Sequence, residues 1–266
     1  MGILETICAE RRADALRQRR ERPPASLERE ASPPRPSFSA YARGGSRHGA
    51  SLLIAECKKA SPSRGLLVPD YDPVALALAY ERGGAGMASV LTEPRRFLGS
   101  EADLRAVRAQ VGLPVLRKDF IMDPYQVREA WSIGADAVLL IAAALEAPLL
   151  LELAAAAREL GLEILVELRE ESEIERAAAT RPDAIGVNAR DLRDFSVDQD
   201  RARALASILP QGPLLVAESG MRSPSAAAAL LASGYRGFLV GEALATADDP
   251  EARTREFEKA LMVKGK

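Results

Sequence analysis

The chain is poor in the residues that most often announce a function. It has two cysteines, Cys8 and Cys57, and a single histidine, His48. Two thiols do not make a disulfide framework, which fits a reducing compartment and a cytoplasmic protein. One histidine and two cysteines do not furnish a zinc site, so no metal is expected. No apolar run is long enough to cross a bilayer. The richest stretch, Ala135–Leu145, is short and carries Asp136 near its start. The net charge of -2 gives no bulk attraction to nucleic acid. No glycine-rich dinucleotide fingerprint follows the first apolar run, which weakens a Rossmann reading.

What remains is a chain of 266 residues, 47% hydrophobic, enough for one large α/β barrel or two smaller domains. Met1–Arg20 reads as an amphipathic helix. Ile3, Leu4, Ile7 and Cys8 share one face with Leu16 further on, and the charges fall elsewhere. Glu5, Glu10 and two arginine pairs interrupt its apolar part, so it is not a signal peptide. Arg20–Ser46 has loop composition and reads as an irregular connection, with His48 a solvated loop residue just beyond it.

From Ser51 a unit repeats: a short apolar run, a polar turn, then an alanine- and leucine-rich stretch. Eight strands are predicted, at Leu52–Cys57, Met87–Leu91, Pro114–Lys118, Ala137–Ile141, Glu163–Glu167, Ala184–Asn188, Pro213–Glu218 and Gly237–Gly241. Helical composition lies between them, as in Pro73–Arg82, Ala147–Leu160 and Ser223–Ala232. Near-continuous apolar strands alternating with helices imply a parallel sheet. Eight such units favour an α/β fold of the (β/α)8 TIM-barrel type with an N-terminal helical extension. Residues 1–50 are expected to form the extension and connection, and 51–266 the barrel, together one structural domain.

The strand tips carry the chemistry. Side chains on a strand alternate faces, so Leu116, Lys118 and Phe120 point one way. The same rule turns Glu56 and Lys58, Glu167, Asn188 and Arg190, and Glu218 into the barrel mouth, with Arg169 at its rim. Three carboxylates (Glu56, Glu167, Glu218) then face three cations (Lys58, Lys118, Arg190). One such tip is explicable as an ion pair. Five are not, because apolar replacement of a buried pair is often neutral or stabilising. Groups this close shift each other's pKa, and Lys118 beside a second lysine in a partly desolvated site is expected to be lowered, suited to acid work. Ser219-Gly220 and Gly241-Glu242 follow the last two strands, where barrels often bind phosphate, though ordinary turn chemistry fits equally. Ser61-Pro62-Ser63-Arg64-Gly65 is a stiff polar loop that either binds an anion or turns the chain. Cys57 alternates outward and reads as a small buried hydrophobe. Tyr125 and Trp131 read as packing residues.

IAECKKASPSRG (Ile54–Gly65), SVLTEPRRFLG (Ser89–Gly99), PVLRKDFIMDPYQV (Pro114–Val127), LVELRE (Leu165–Glu170), GVNARDL (Gly186–Leu192), ESG (Glu218–Gly220) and LVGEAL (Leu239–Leu244) resemble, in order, the indole-3-glycerol phosphate synthase family. The N-terminal helix resembles the extension this family carries. The resemblance implies ring closure, decarboxylation and dehydration of a phosphorylated carboxyphenylamino-deoxyribulose, with no cofactor. It implies that Lys118 is the general acid, that Glu167 transfers a proton in the dehydration, and that Lys58 contacts substrate and shares the acid role. Glu56 and Asn188 would position these groups. Ser61 and Arg190 would lie near the substrate carboxylate, Phe97 and Phe120 in the aromatic pocket, and Glu218 along the site. Ser219, Gly220, Gly241 and Glu242 would cradle the phosphate. The implied partner is a small phosphorylated substrate, with no nucleic acid or membrane partner and a monomeric chain.

Ala189, Arg169 and Ala243 depart from the pattern, where asparagine, histidine and serine are common. Ala243 could remove one hydroxyl donor to phosphate. Three rivals stay open. A Schiff-base aldolase would use Lys58 or Lys118 as a nucleophile. Phosphoribosylanthranilate isomerase would want a cysteine facing the pocket. A barrel could also bind a phosphorylated ligand without turnover.

Overall fold

In a computed structural model that describes residues 2–30, 32–42, 51–191 and 195–262, eight parallel strands close into a barrel. They are β1 (Leu52–Cys57), β2 (Met87–Leu91), β3 (Val115–Lys118), β4 (Ala137–Ile141), β5 (Glu163–Leu168), β6 (Ala184–Asn188), β7 (Leu214–Glu218) and β8 (Gly237–Val240). Each pairs with the next in sequence, and β8 closes on β1, with Leu52 opposite Gly237 and Ala55 opposite Val240. Nearly every strand residue is buried, as expected for a sheet with side chains packed inside and helices outside. Among the described residues no helix is long and apolar enough to cross a membrane.

The helices begin where short polar residues can cap them. Asp72, Asp123 and Asp249 accept backbone N–H bonds at helices Pro73–Gly83, Pro124–Ser132 and Pro250–Leu261. In each, proline fills the first position, where its missing donor costs nothing. Ser100 caps Glu101–Gln110 in the same way.

Several boundaries differ from the sequence reading. Pro114 and Pro213 lie outside β3 and β7, because proline has no N–H for the ladder; the Pro114 carbonyl still accepts from Ala88 N at 3.0 Å. β8 stops at Val240 because Gly241 is the N-cap of a short helix, Glu242–Ala245. The helix expected at Ser223–Ala232 is broken. Ala229 N donates to Ser225 O, but Leu230 N already donates to Ala227 O, so the ladder tightens and ends as a 3-10 turn at Leu231–Ser233.

The extension is more ordered and more charged inside than its pattern suggested. Its helix spans Ile3–Glu21 and buries Ile7, Cys8, Arg11, Asp14 and Ala15, while Leu16 stays 45% exposed. Arg11 and Asp14 share the inward face because both have partners there. Arg11 forks onto Asp119, with Nε to Oδ1 at 2.9 Å and Nη2 to Oδ2 at 2.7 Å. Asp14 accepts from Arg95, with Nη2 to Oδ1 at 2.9 Å. The connection is not wholly irregular. It contains a 3-10 turn at Pro24–Ser26 and a helix at Phe38–Ala42. The start of that helix is held by Glu163, whose carboxylate accepts from the N–H groups of Ser37, Phe38 and Ser39 at 2.6, 2.8 and 3.0 Å. His48 lies outside the described residues. The extension therefore ties the carboxyl end of β3, at Asp119, to the amino end of β5, at Glu163.

Behind the tip of β3 sits a buried charge network. Arg117 is fully buried, and its Nη2 reaches Asp119 at 3.1 Å and Glu129 at 2.9 Å. Its Nε donates to Thr92 Oγ1 at 3.1 Å and its Nη1 to Gln126 O at 3.1 Å. Burial alone would push this guanidinium down and the Asp119 carboxyl up. The opposite charges outweigh it, and Arg117 is raised while Asp119 is lowered. Arg117→Met leaves two buried acids short of a counter-charge and is expected to destabilise the fold by about 3–5 kcal/mol. Urea denaturation checks it; a loss no larger than a surface substitution gives would show that the network does not hold β3.

Candidate active site

Alternation along the strands brings the polar tips into one cavity of about 340 Å³ at the carboxyl end of the barrel. All the residues singled out from the sequence line it: Glu56, Lys58, Ser61, Phe97, Lys118, Phe120, Glu167, Asn188, Arg190, Glu218, Ser219, Gly220, Gly241 and Glu242. Arg169 does not. It turns aside to Glu170 at 2.8 Å and Asp191 at 3.1 Å.

Lys118 is the centre of the cluster. Its Nζ lies 3.2 Å from Glu167 Oε2 and 3.3 Å from Glu218 Oε2. Asn188 Nδ2 donates to the other Glu167 oxygen at 3.0 Å, and its own Oδ1 accepts from Arg190 N at 3.0 Å. Across the cavity Lys58 Nζ pairs with Glu56 Oε1 at 2.6 Å. Two glycines make room for these carboxylates. A Cβ on Gly186 would collide with Glu218 Oε1, and one on Gly241 with Glu56 Oε1.

The electrostatics correct one expectation. Burial pulls Lys118 down, as a neighbouring lysine would, but Glu218, Glu167 and Glu56 together outweigh it and hold the ammonium above its usual value. Glu56 is pushed up by burial and brought below its ordinary value by Lys58 and Lys118. Glu218 goes the other way. It is fully desolvated, its Oε1 has no hydrogen-bond partner among the described residues, and Glu167 adds like charge. Lys118 offsets only part of this, and the Glu218 pKa rises to about 8. The free site thus holds a charged lysine next to a carboxyl that binds its proton more tightly than an exposed acid does, two groups placed to exchange a proton.

The rim adds shape. Phe97 and Phe120 face each other with ring centroids 6.2 Å apart. Phe97 is presented by a loop wound around Glu93, whose buried carboxylate accepts from the N–H groups of Arg95, Arg96 and Phe97 at 3.0, 2.6 and 2.9 Å. Ser219 (φ 64°) and Gly220 (φ 77°) both lie in the left-handed region and turn the chain sharply after β7. Gln199 Nε2 donates to Ser219 O at 3.2 Å and holds that turn. Ala243 lines the cavity without a hydroxyl. Cys57 points outward, its Sγ donating to Pro73 O at 3.6 Å, and burial raises its thiol far from thiolate. Among the described residues, no group of three or more His, Cys, Asp or Glu could hold a metal.

Sequence reasoning missed several lining residues. Leu139 and Ile141 on β4 follow the alternation and could have been found by it. Phe195, Met221, Arg222 and Thr246 lie on loops, where no period marks them. Glu93 acts through backbone amides, which leave no pattern of side chains in the sequence.

The fold and the cavity define a (β/α)8 barrel with an enclosed lysine–carboxylate cluster at its catalytic face. Its sequence matches the family model described as Indole-3-glycerol phosphate synthase over residues 4–257. The chain belongs to the indole-3-glycerol phosphate synthase family. It is 43% identical over 98% of both chains to "Indole-3-glycerol phosphate synthase 2" of Ralstonia nicotianae. It is 48% identical over 97% of this chain and 98% of the relative to "Indole-3-glycerol phosphate synthase" of Leifsonia xyli. A structure of 3-hexulose-6-phosphate synthase from Salmonella typhimurium superposes with TM-score 0.64 at 14% identity, covering 79% of this chain and 98% of that one, a likeness of fold alone.

The Glu218 shift has a sign. With a carboxyl near pH 8 when folded and near 4.5 when unfolded, the native state binds the extra proton between those values. Its contribution to stability therefore falls as pH rises from about 4.5 towards 8. Glu218→Gln is expected to flatten that fall. Urea midpoints of both proteins at pH 5.5 and 8 test it, and equal changes in the two would refute the raised pKa.

Proposed function

We propose that the chain catalyses the conversion of 1-(2-carboxyphenylamino)-1-deoxy-D-ribulose 5-phosphate to indole-3-glycerol phosphate, with loss of carbon dioxide and water, in tryptophan biosynthesis. The observation that carries the residue roles is Lys118 held between Glu167 and Glu218 inside the cavity at the barrel mouth. In the first step the aromatic carbon bearing the carboxylate attacks the sugar carbonyl. Lys118, charged in the free site, donates its proton to the developing alkoxide, which is a stronger base than any amine. Carbon dioxide then leaves and restores ring electrons. Loss of the new hydroxyl as water needs a proton donor at that oxygen and a base at the carbon beside it. Glu167, fixed by Asn188, serves that exchange, and Lys58 assists from the opposite wall. Phe97 and Phe120 take the aryl ring, Ser61 and Arg190 its carboxylate, and the turns at Ser219-Gly220 and Gly241-Glu242 the phosphate. Glu56 holds Lys58, and Glu218 holds Lys118.

The rivals fit less well. A Schiff-base aldolase needs a neutral amine, and both lysines are paired with carboxylates. The isomerase chemistry would want a pocket cysteine, and Cys57 faces away. Supplying the substrate and following indole fluorescence tests the reading; no indole from the folded protein would overturn it. Lys118→Ala is expected to lower kcat by about 10²–10⁴-fold while product still binds. Turnover like the wild type would refute the role of Lys118. For Glu167→Gln, kcat should fall more than binding weakens, and a change confined to KM would remove the proton-transfer role.

A further inference from the structure

Four cations line the cavity, and three of them already have a task. Lys58 is paired to Glu56 at 2.6 Å. Lys118 lies between two glutamates at 3.2 and 3.3 Å. Arg190, whose Nη1 donates to Phe195 O at 3.1 Å, is assigned above to the substrate carboxylate. The fourth is Arg222, an exposed residue on the loop after β7. Among the described residues its guanidinium has no hydrogen-bond or ion-pair partner. Its backbone, by contrast, is held twice. Arg222 N donates to Gly220 O at 3.1 Å, and Arg253 Nη2 donates to Arg222 O at 3.0 Å. A fixed backbone with an unspent guanidinium at a cavity mouth is a preset for an incoming anion.

Its position selects which anion. β7 and β8 pair with Glu218 opposite Leu239, so the loop bearing Arg222 emerges beside Gly241 and the Glu242–Ala245 helix. This is the end of the cavity assigned above to the phosphate. The acid there, Glu242, is answered at 3.4 Å by Arg64 from the polar loop after β1. A phosphate dianion arriving at that end finds backbone donors but no unpaired fixed cation among the paired lysines. We propose that Arg222 is the cation that binds the substrate's phosphate, closing over it from the loop after β7. This rests on the reaction proposed above, in which the substrate is a phosphomonoester.

Inorganic phosphate is the probe, with affinity measured by calorimetry on the whole chain. Arg222→Met keeps the apolar stem and removes the charge; Arg222→Lys keeps the charge. Arg222→Met should weaken phosphate about ten-fold, the low end for a charge-assisted bond. KM for the carboxyphenylamino-deoxyribulose phosphate should rise in parallel, with kcat within about two-fold of wild type. Arg222→Lys should recover part of both. The kcat/KM of the methionine variant should also depend less on salt, because one attraction to a dianion is gone. Unchanged phosphate affinity in Arg222→Met, or a loss confined to kcat, overturns the assignment. Absence of indole formation by the wild type would sink the proposed reaction instead, since the phosphate measurement needs no turnover.

Discussion

A lysine that stays charged inside a barrel is the constraint on which the rest depends. Taken alone, the Lys118 ammonium would cost several kcal/mol to bury. It is tolerated because Glu167 and Glu218 flank it and Glu56 lies near enough to add its field. Those carboxylates in turn require space, which Gly186 and Gly241 leave by lacking a Cβ. The triad also has one carboxylate too many for one cation, so burial and the charge of Glu167 raise the Glu218 pKa while Lys118 offsets only part of the rise. The stability of the cluster and its readiness to move protons have the same origin.

The opposite face of β3 answers the inner one. Lys118 points in, and its neighbours Arg117 and Asp119 point out into a second set of charges with Arg11 and Glu129, bridged by the Thr92 hydroxyl. Arg11 and Asp14 come from the N-terminal helix, while Thr92 and Arg95 come from the loop that carries Phe97. The extension is thus joined to both the strand that holds the lysine and the loop that shapes the aryl pocket. A helix that looked like ordinary apolar packing is tied to the catalytic face by buried ion pairs.

Much of this was legible in the sequence, because a barrel repeats a simple signal. Eight apolar runs gave eight strands, and period-two alternation brought Glu56, Lys118, Glu167, Asn188 and Glu218 into one cavity. Strand ends were misjudged where proline or a helix cap intervened, as at Pro114 and Gly241, and by one residue at Leu168. The direction of the Lys118 shift was not legible. The sequence shows a second lysine nearby, but only the distances show that Lys58 is turned to Glu56 and that two acids reach Lys118 first. Glu93, Gln199 and Arg222 were also hidden, since they act from loops or a helix start through backbone groups or unpaired side chains. Burial of Arg11 and Asp14 depended on partners some 80–110 residues away, which no local pattern displays.

The chain has only six lysines, so the charge of Lys118 can be followed directly. Nitrogen-15 NMR of the lysine Nζ groups, with Lys118→Arg to assign the signal, reads it as pH is raised. The Lys118 ammonium is expected to persist beyond the pH at which the exposed lysines have lost their protons. A Lys118 signal that turns neutral before theirs would contradict the claim that Glu167 and Glu218 hold the charge in place.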